Sequence, residues 1–289
     1  MSNITQLAGT AASLAFICFL FLTPAFTQTK ISEPVVVAIN DRTATIGGTR
    51  SPRISEYEKM LADDPSDLIA ANNLGVLYFE TGRYVDARDL IVRAAEGHTD
   101  SWNIQINASV VMAQSGSVDR ALKYAQAAFN IAPKEVEVRQ QLCNMYLAAG
   151  DATAALACFA ALTKDDGGDP QDLLGYAETL MISGDPVQAE TVIRDVVRSS
   201  PRIAGAYNSL GIAQFRQKHY PAAVESFRQA VSLTPDEAQF RYNLAVTQMA
   251  TRNRDGALSQ YNLIKTLDPK LAGQLYKIMF ADKVVVVGH

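Results

Sequence analysis

The sequence predicts an all-α chain, a solenoid of about six helix–turn–helix repeats closed at each end by a capping helix. Three periodic series carry this reading. Ala87, Ala121, Ala155, Ala189, Ala223 and Ala257 recur every 34 residues without a gap. In the same frame Pro133, Pro201, Pro235 and Pro269 close four units, Thr99 and Gly167 stand in the matching slots of the other two, and Pro65 lies one period earlier. Gly82, Gly116, Gly150 and Gly184 keep the interval too, each just past a first helix, where a left-handed C-cap suits glycine. A repeat of this kind overrides the domain count that 289 residues would otherwise suggest, because solenoids grow by adding units and not by enlarging one core.

The stretch Ala204 to Pro235 is one complete unit. Its Tyr207, Leu210, Gly211, Ala223, Phe227, Ala230 and Pro235 fill the W-x2-L-G…A-x3-F…P pattern slot for slot, and on these residues the chain resembles the tetratricopeptide repeat (TPR) family. The resemblance implies a right-handed TPR superhelix whose first helices line a concave groove for peptides or helices of other proteins. In layout, with an apolar N-terminus, a linker and about six repeats, the chain is similar to envelope and pilus-assembly TPR proteins, an analogy at the level of the fold.

Residues 1–25 read as a signal peptide or an N-terminal membrane anchor. Leu7 to Leu22 is apolar and free of charge, and Thr23-Pro24-Ala25 after it suits a small-residue cleavage site. Both readings stay open: Met1 to Gln6 has no Lys or Arg, and the run is short for a membrane span of ~20 residues. Lys30, Arg42 and Arg50 after the run weigh against export, diluted by Glu33 and Asp41. Export, to a periplasmic or extracellular place, or anchoring through this segment is the expected localisation. Residues 26–52 form a flexible linker with Pro34, Gly47-Gly48 and Pro52, interrupted by the apolar Val35 to Ile39.

Residues 53–67 supply an N-terminal capping helix, with Tyr57, Met60 and Leu61 on one face. Residues 68–269 hold the six repeats, at 68–101, 102–135, 136–169, 170–203, 204–237 and 238–269. In each, a small residue on the first helix (Gly75, Ser109, Cys143, Ala177, Gly211, Ala245) lets it approach the alanine series of the second, and Leu74, Leu142, Leu210 and Leu244 fill the space between. The unit from Trp102 to Glu135 diverges most, with Ser109 and Met112 at the usual Gly and Tyr slots. Residues 270–281 give a C-terminal capping helix through Leu271, Leu275, Ile278 and Met279, and 282–289 form a tail with four consecutive valines.

Composition narrows the function. A net charge of −4, a pI near 5.5 and no local Lys/Arg cluster exclude a footprint for nucleic acid. Cys18, Cys143 and Cys158 are too few and too scattered for a disulfide framework or a zinc site. Cys143 and Cys158 fall on the two helices of one repeat, where an oxidising compartment could join them; the reading taken is of buried small thiols. His98, His219 and His289 are isolated, and Asp165-Asp166-Gly167-Gly168-Asp169 lacks the alternating ligands of a calcium loop and reads as a turn. No nucleotide, hydrolase or metalloprotease motif occurs. The expectation is a non-enzymatic protein with no catalytic residue, cofactor or metal.

The repeat frame assigns the groove. Its candidate residues are Asn72, Val76 and Phe79, then Ile106 and Val110, Asn144 and Leu147, Leu174 and Met181, Asn208, Ile212 and Phe215, and finally Tyr242, Val246 and Met249. Such a surface, apolar with amide edges, suits an amphipathic helix or an extended apolar segment. The carboxylate clamp that the resemblance would bring needs lysines where this chain carries Asn72, Ile106, Gln140, Leu174, Asn208 and Tyr242, so that mode is not expected. The expected function is a scaffold or adaptor for a protein or peptide partner in cell-envelope complex assembly, touching membrane only through the N-terminal segment. The alternative is a self-associating structural protein, a homo-oligomer joined through its caps or tail.

Overall fold

A computed structural model describes residues 50–165 and 168–280. The apolar run Leu7 to Leu22, the Val35 to Ile39 segment, Asp166-Gly167 and the tail 282–289 lie outside the described residues. Those described form fourteen α-helices and no strand. They fall into two compact units divided at Gly168/Asp169.

The first unit opens with α1 (Arg50–Asp63), which starts inside the stretch read as linker, and continues as the hairpins α2 (Leu68–Glu80) with α3 (Tyr84–Gly97), α4 (Trp102–Gln114) with α5 (Val118–Ile131), and α6 (Val136–Ala148) with α7 (Ala152–Asp165). The second holds α8 (Pro170–Ile182) with α9 (Pro186–Ser199), α10 (Ala204–Arg216) with α11 (Tyr220–Leu233), α12 (Ala238–Ala250) with α13 (Arg254–Leu267), and the closing α14 (Pro269–Met279). First helices are 13 residues and second helices 14 throughout, so each hairpin repeats the same geometry. This is the TPR-type α-solenoid that the periodicity predicts.

The tight joint in each hairpin rests on small residues. All six alanines of the 34-residue series are completely buried. On the first helices Gly75 and Gly211 leave no room for a side chain: a Cβ at Gly75 would stand 2.5 Å from Cγ1 of Ile91, and one at Gly211 2.7 Å from the Phe227 ring. Ile91 and Phe227 are themselves fully buried and supply the apolar area that drives the joint.

The turn after each first helix is closed in one way. Gly82, Gly116, Gly150 and Gly184 have φ between 76° and 88°, and Lys218 and Arg252 take the same slot in the last two repeats at 63° and 62°. The amide of the following residue bonds back five residues, from Arg83 to Tyr78 at 2.8 Å and from His219 to Gln214 at 2.9 Å. This satisfies helix-end carbonyls, and only glycine enters that conformation without a Cβ penalty.

Within each unit the second helix of one hairpin packs on the first helix of the next, and neighbouring first helices also meet through buried amides. Asn107 on α4 donates to the side-chain oxygen of Asn72 on α2 at 2.9 Å, and in the second unit Asn243 on α12 donates to Asn208 on α10 at 2.7 Å. The two bridges stand four periods apart in one register, and all four amides are buried. A buried amide left without a partner costs about 1–3 kcal/mol, so these bridges fix the register of neighbouring hairpins. At the open end of the first unit α1 is clamped by Tyr57, buried and accepting from Asn73 at 3.3 Å, and by Tyr78, whose hydroxyl donates to Glu58 at 2.6 Å beneath the Arg83 guanidinium.

Cys143 and Cys158 are not separate thiols: they form a disulfide between α6 and α7, with Cα atoms 5.4 Å apart. The correction has a simple cause. Cys143 stands in the small-residue slot, where the two helices already approach as closely as a disulfide requires.

Two measurements check this packing. Cys143→Ser/Cys158→Ser removes a link across 15 residues and lowers the unfolding free energy in urea by about 3 kcal/mol. A double-mutant cycle of Asn208→Leu and Asn243→Leu gives an interaction energy of at least about 1 kcal/mol, since each single change strands its partner and the double change does not.

Candidate functional site

The fifteen residues that the frame assigns to the groove divide sharply. Asn72, Val76, Ile106 and Val110 in the first unit are buried, as are Leu174, Met181, Asn208, Ile212, Phe215, Tyr242 and Val246 in the second, none above 8% exposed. Phe79, Asn144, Leu147 and Met249 keep part of their side chains at the surface. The physical reason lies in the spacing of hairpins. A side chain on one first helix is covered by the next first helix, as Asn107 covers Asn72 and Asn243 covers Asn208. The frame shows which way a residue faces but not how closely the neighbouring helix lies against it.

Around these positions the polar and aromatic groups are tied into the packing. Burial pushes the Tyr242 phenol up to about 12, so it keeps its proton across the physiological range. Burial lowers the pKa of the Arg216 guanidinium, an effect Glu178 opposes, and its Nη1 donates to the Met181 carbonyl at 2.6 Å, tying α10 to α8. The aromatic pairs Phe79–Tyr84 and Phe215–Tyr220, ring centroids 5.3 Å and 5.1 Å apart, brace the turn at matching slots in the two units. Glu190 on α9 accepts from Arg194, Gln214 and Gln217; burial pushes its carboxyl up, but these bonds outweigh it and hold it below its ordinary value.

Among the described residues no three His, Cys, Asp or Glu side chains lie close enough to hold a metal ion, and no helix is long and apolar enough to cross a membrane. The frame also passed over a hollow of about 390 Å³ in the first unit, between α3 and the start of α5. It lies on second helices, whereas the groove assignment followed the first. The available signal was a set of arginines at slots where the other repeats have none.

The sequence pattern of the tetratricopeptide repeat matches residues 54–101, 144–202, 177–235 and 208–272, and a second pattern of the same description matches 112–172. Among curated proteins the chain is 23% identical over 236 residues to the BBSome complex member BBS4 of Bos taurus, a match that covers 80% of this chain and 44% of that protein. The chain therefore spans less than half the length of that relative. A tetratricopeptide repeat protein from Parabacteroides merdae has a similar fold, with a TM-score of 0.70 at 15% identity over 80% of this chain and 92% of the other. The structure of Pseudomonas aeruginosa pilF aligns at a TM-score of 0.57 and 14% identity, over 79% and 98% of the two chains. With hairpins of constant length, an unbroken alanine register and family matches over more than half its residues, the chain belongs to the tetratricopeptide repeat family.

Proposed function

We propose that the protein is a non-enzymatic adaptor that holds a peptide or amphipathic helix of a partner on the concave face of its first helices, during assembly of a multiprotein complex at the cell envelope. The observation that carries the binding face is the partial exposure of Phe79, Asn144, Leu147 and Met249 on first helices whose other inward residues are packed away. The buried set, Tyr242 and the asparagine bridges included, stiffens the first helices of each unit, and the accessible side chains, Phe79, Asn144 and Leu147 in the first unit and Met249 in the second, take the partner. Apolar contact supplies most of the affinity, with Asn144 offering an amide at the margin. Membership of a complex fits the likeness to BBS4, which is a BBSome complex member.

Export or anchoring rests on two features. Residues 1–25 have the layout of an export signal or anchor. The Cys143–Cys158 disulfide belongs to an oxidising compartment, since such bonds are rare in the reducing cytosol.

Site-specific photocrosslinking in cells tests the binding face. A benzophenone side chain at Leu147 or Met249 is expected to capture one recurring partner, and the same group at Val187, which is 62% exposed on a second helix, is not. Equal capture from all three positions, or from Val187 alone, contradicts the reading.

A further inference from the structure

The hollow on the second helices differs in kind from the first-helix face. Arg88 and Arg93 of α3 and Arg120 of α5 line it, with the Ser115 and Ser117 hydroxyls on the turn between α4 and α5. A smaller hollow of about 160 Å³ shares Arg88 and Ser115 with it and is walled by Phe79, Tyr84, Val85 and Val111. Tyr84 and Val85 are 50% and 62% exposed, an apolar step beside a cluster of guanidinium groups.

Two of the arginines are already held. Arg88 meets Asp89 at 2.9 Å, and Arg120 faces Glu96 at 3.8 Å. Arg93 pairs with no carboxylate among the described residues, so three guanidinium groups against two carboxylates leave positive charge in excess on a chain whose net charge is −4. The fold does not require this arrangement. One period after Arg88 and Arg93 stand Leu122 and Ala127, one period before Arg120 stands Asp86, and none of the other repeats places an arginine at any of the three slots.

We propose that the joined hollows are a second docking site, centred on the second helices and bordering the first-helix face at Phe79, for an acidic peptide segment of a partner protein. An apolar side chain of that segment seats against Tyr84, Val85 and Val111, and a neighbouring carboxylate is taken by Arg93 and Arg120. Arginine suits this task because its planar fork binds a carboxylate through two parallel hydrogen bonds. Asp89 holds Arg88 at 2.9 Å, and the longer 3.8 Å approach of Glu96 orients Arg120, which with Arg93 meets the incoming charge. The apolar wall lowers the local dielectric and strengthens that pairing relative to open surface.

The test uses the full chain and a fluorescein-labelled octapeptide of alternating glutamate and phenylalanine, read by fluorescence anisotropy. Saturable binding is expected, weakened at least about tenfold by Arg93→Glu/Arg120→Glu and by Val85→Asp, and weakened likewise when the peptide carries lysine for glutamate or serine for phenylalanine. All three protein positions are exposed, and an unchanged melting curve confirms that each variant is folded. No saturable binding overturns the proposal. So does binding that survives these changes, or that is lost instead with Leu147→Ala/Met249→Ala on the first-helix face.

Discussion

The constraint on which the rest of this structure depends is the close approach of the two helices of each hairpin, with a glycine or other small residue on the first and a fully buried alanine on the second. Helices packed through large side chains sit 8–10 Å apart, and small residues at the crossing bring them to the lower end of that range. Large side chains of the second helix then lie directly against the small residue, Ile91 against Gly75 and Phe227 against Gly211, and both are fully buried. Because every hairpin closes in this way, every hairpin presents the same edge to the next. The asparagine bridges can therefore recur four periods apart without a change of register.

The same contact explains the disulfide and the fate of the groove residues. A close crossing puts the Cα atoms of Cys143 and Cys158 at 5.4 Å, within bonding reach without displacement of either helix. Close stacking of hairpins covers Asn72 and Asn208 with the next first helix, so side chains that face inward are not for that reason available to a partner. What remains accessible is a short set of positions, set among side chains that packing already fixes. Side chains fixed in this way have little conformational entropy left to lose, which separates the face of a solenoid from a flexible loop.

The fold was legible because its periodicity is strict: one alanine register, one proline register and one glycine register lead to the same hairpin. Lys218 and Arg252 show where the glycine rule stops, since the turn keeps its left-handed conformation in both places without glycine. The groove assignment rests on direction, whereas the structure adds depth. Residue type and slot placed Phe215 and Tyr242 on the inner side, yet their burial depends on the distance to the next helix, which no sequence position states. The disulfide was hidden for a related reason, because a cysteine in a small-residue slot satisfies the packing rule whether or not it is bonded. The arginine-lined hollow escaped a reading confined to first helices, although Arg88, Arg93 and Arg120 each depart from the residues found at their slots elsewhere in the array.

The most direct test of the central claim compares two neighbouring alanines on α11, the buried Ala223 and the exposed Ala222. Ala223→Leu forces extra volume into the helix crossing and is expected to lower the unfolding free energy by about 1–3 kcal/mol or more in urea denaturation. Ala222→Leu, one residue away on the solvent side, is expected to change it by less than about 0.5 kcal/mol. Equal and small effects at both positions would contradict the account, because the crossing would then tolerate a large side chain and the alanine register would have no mechanical role.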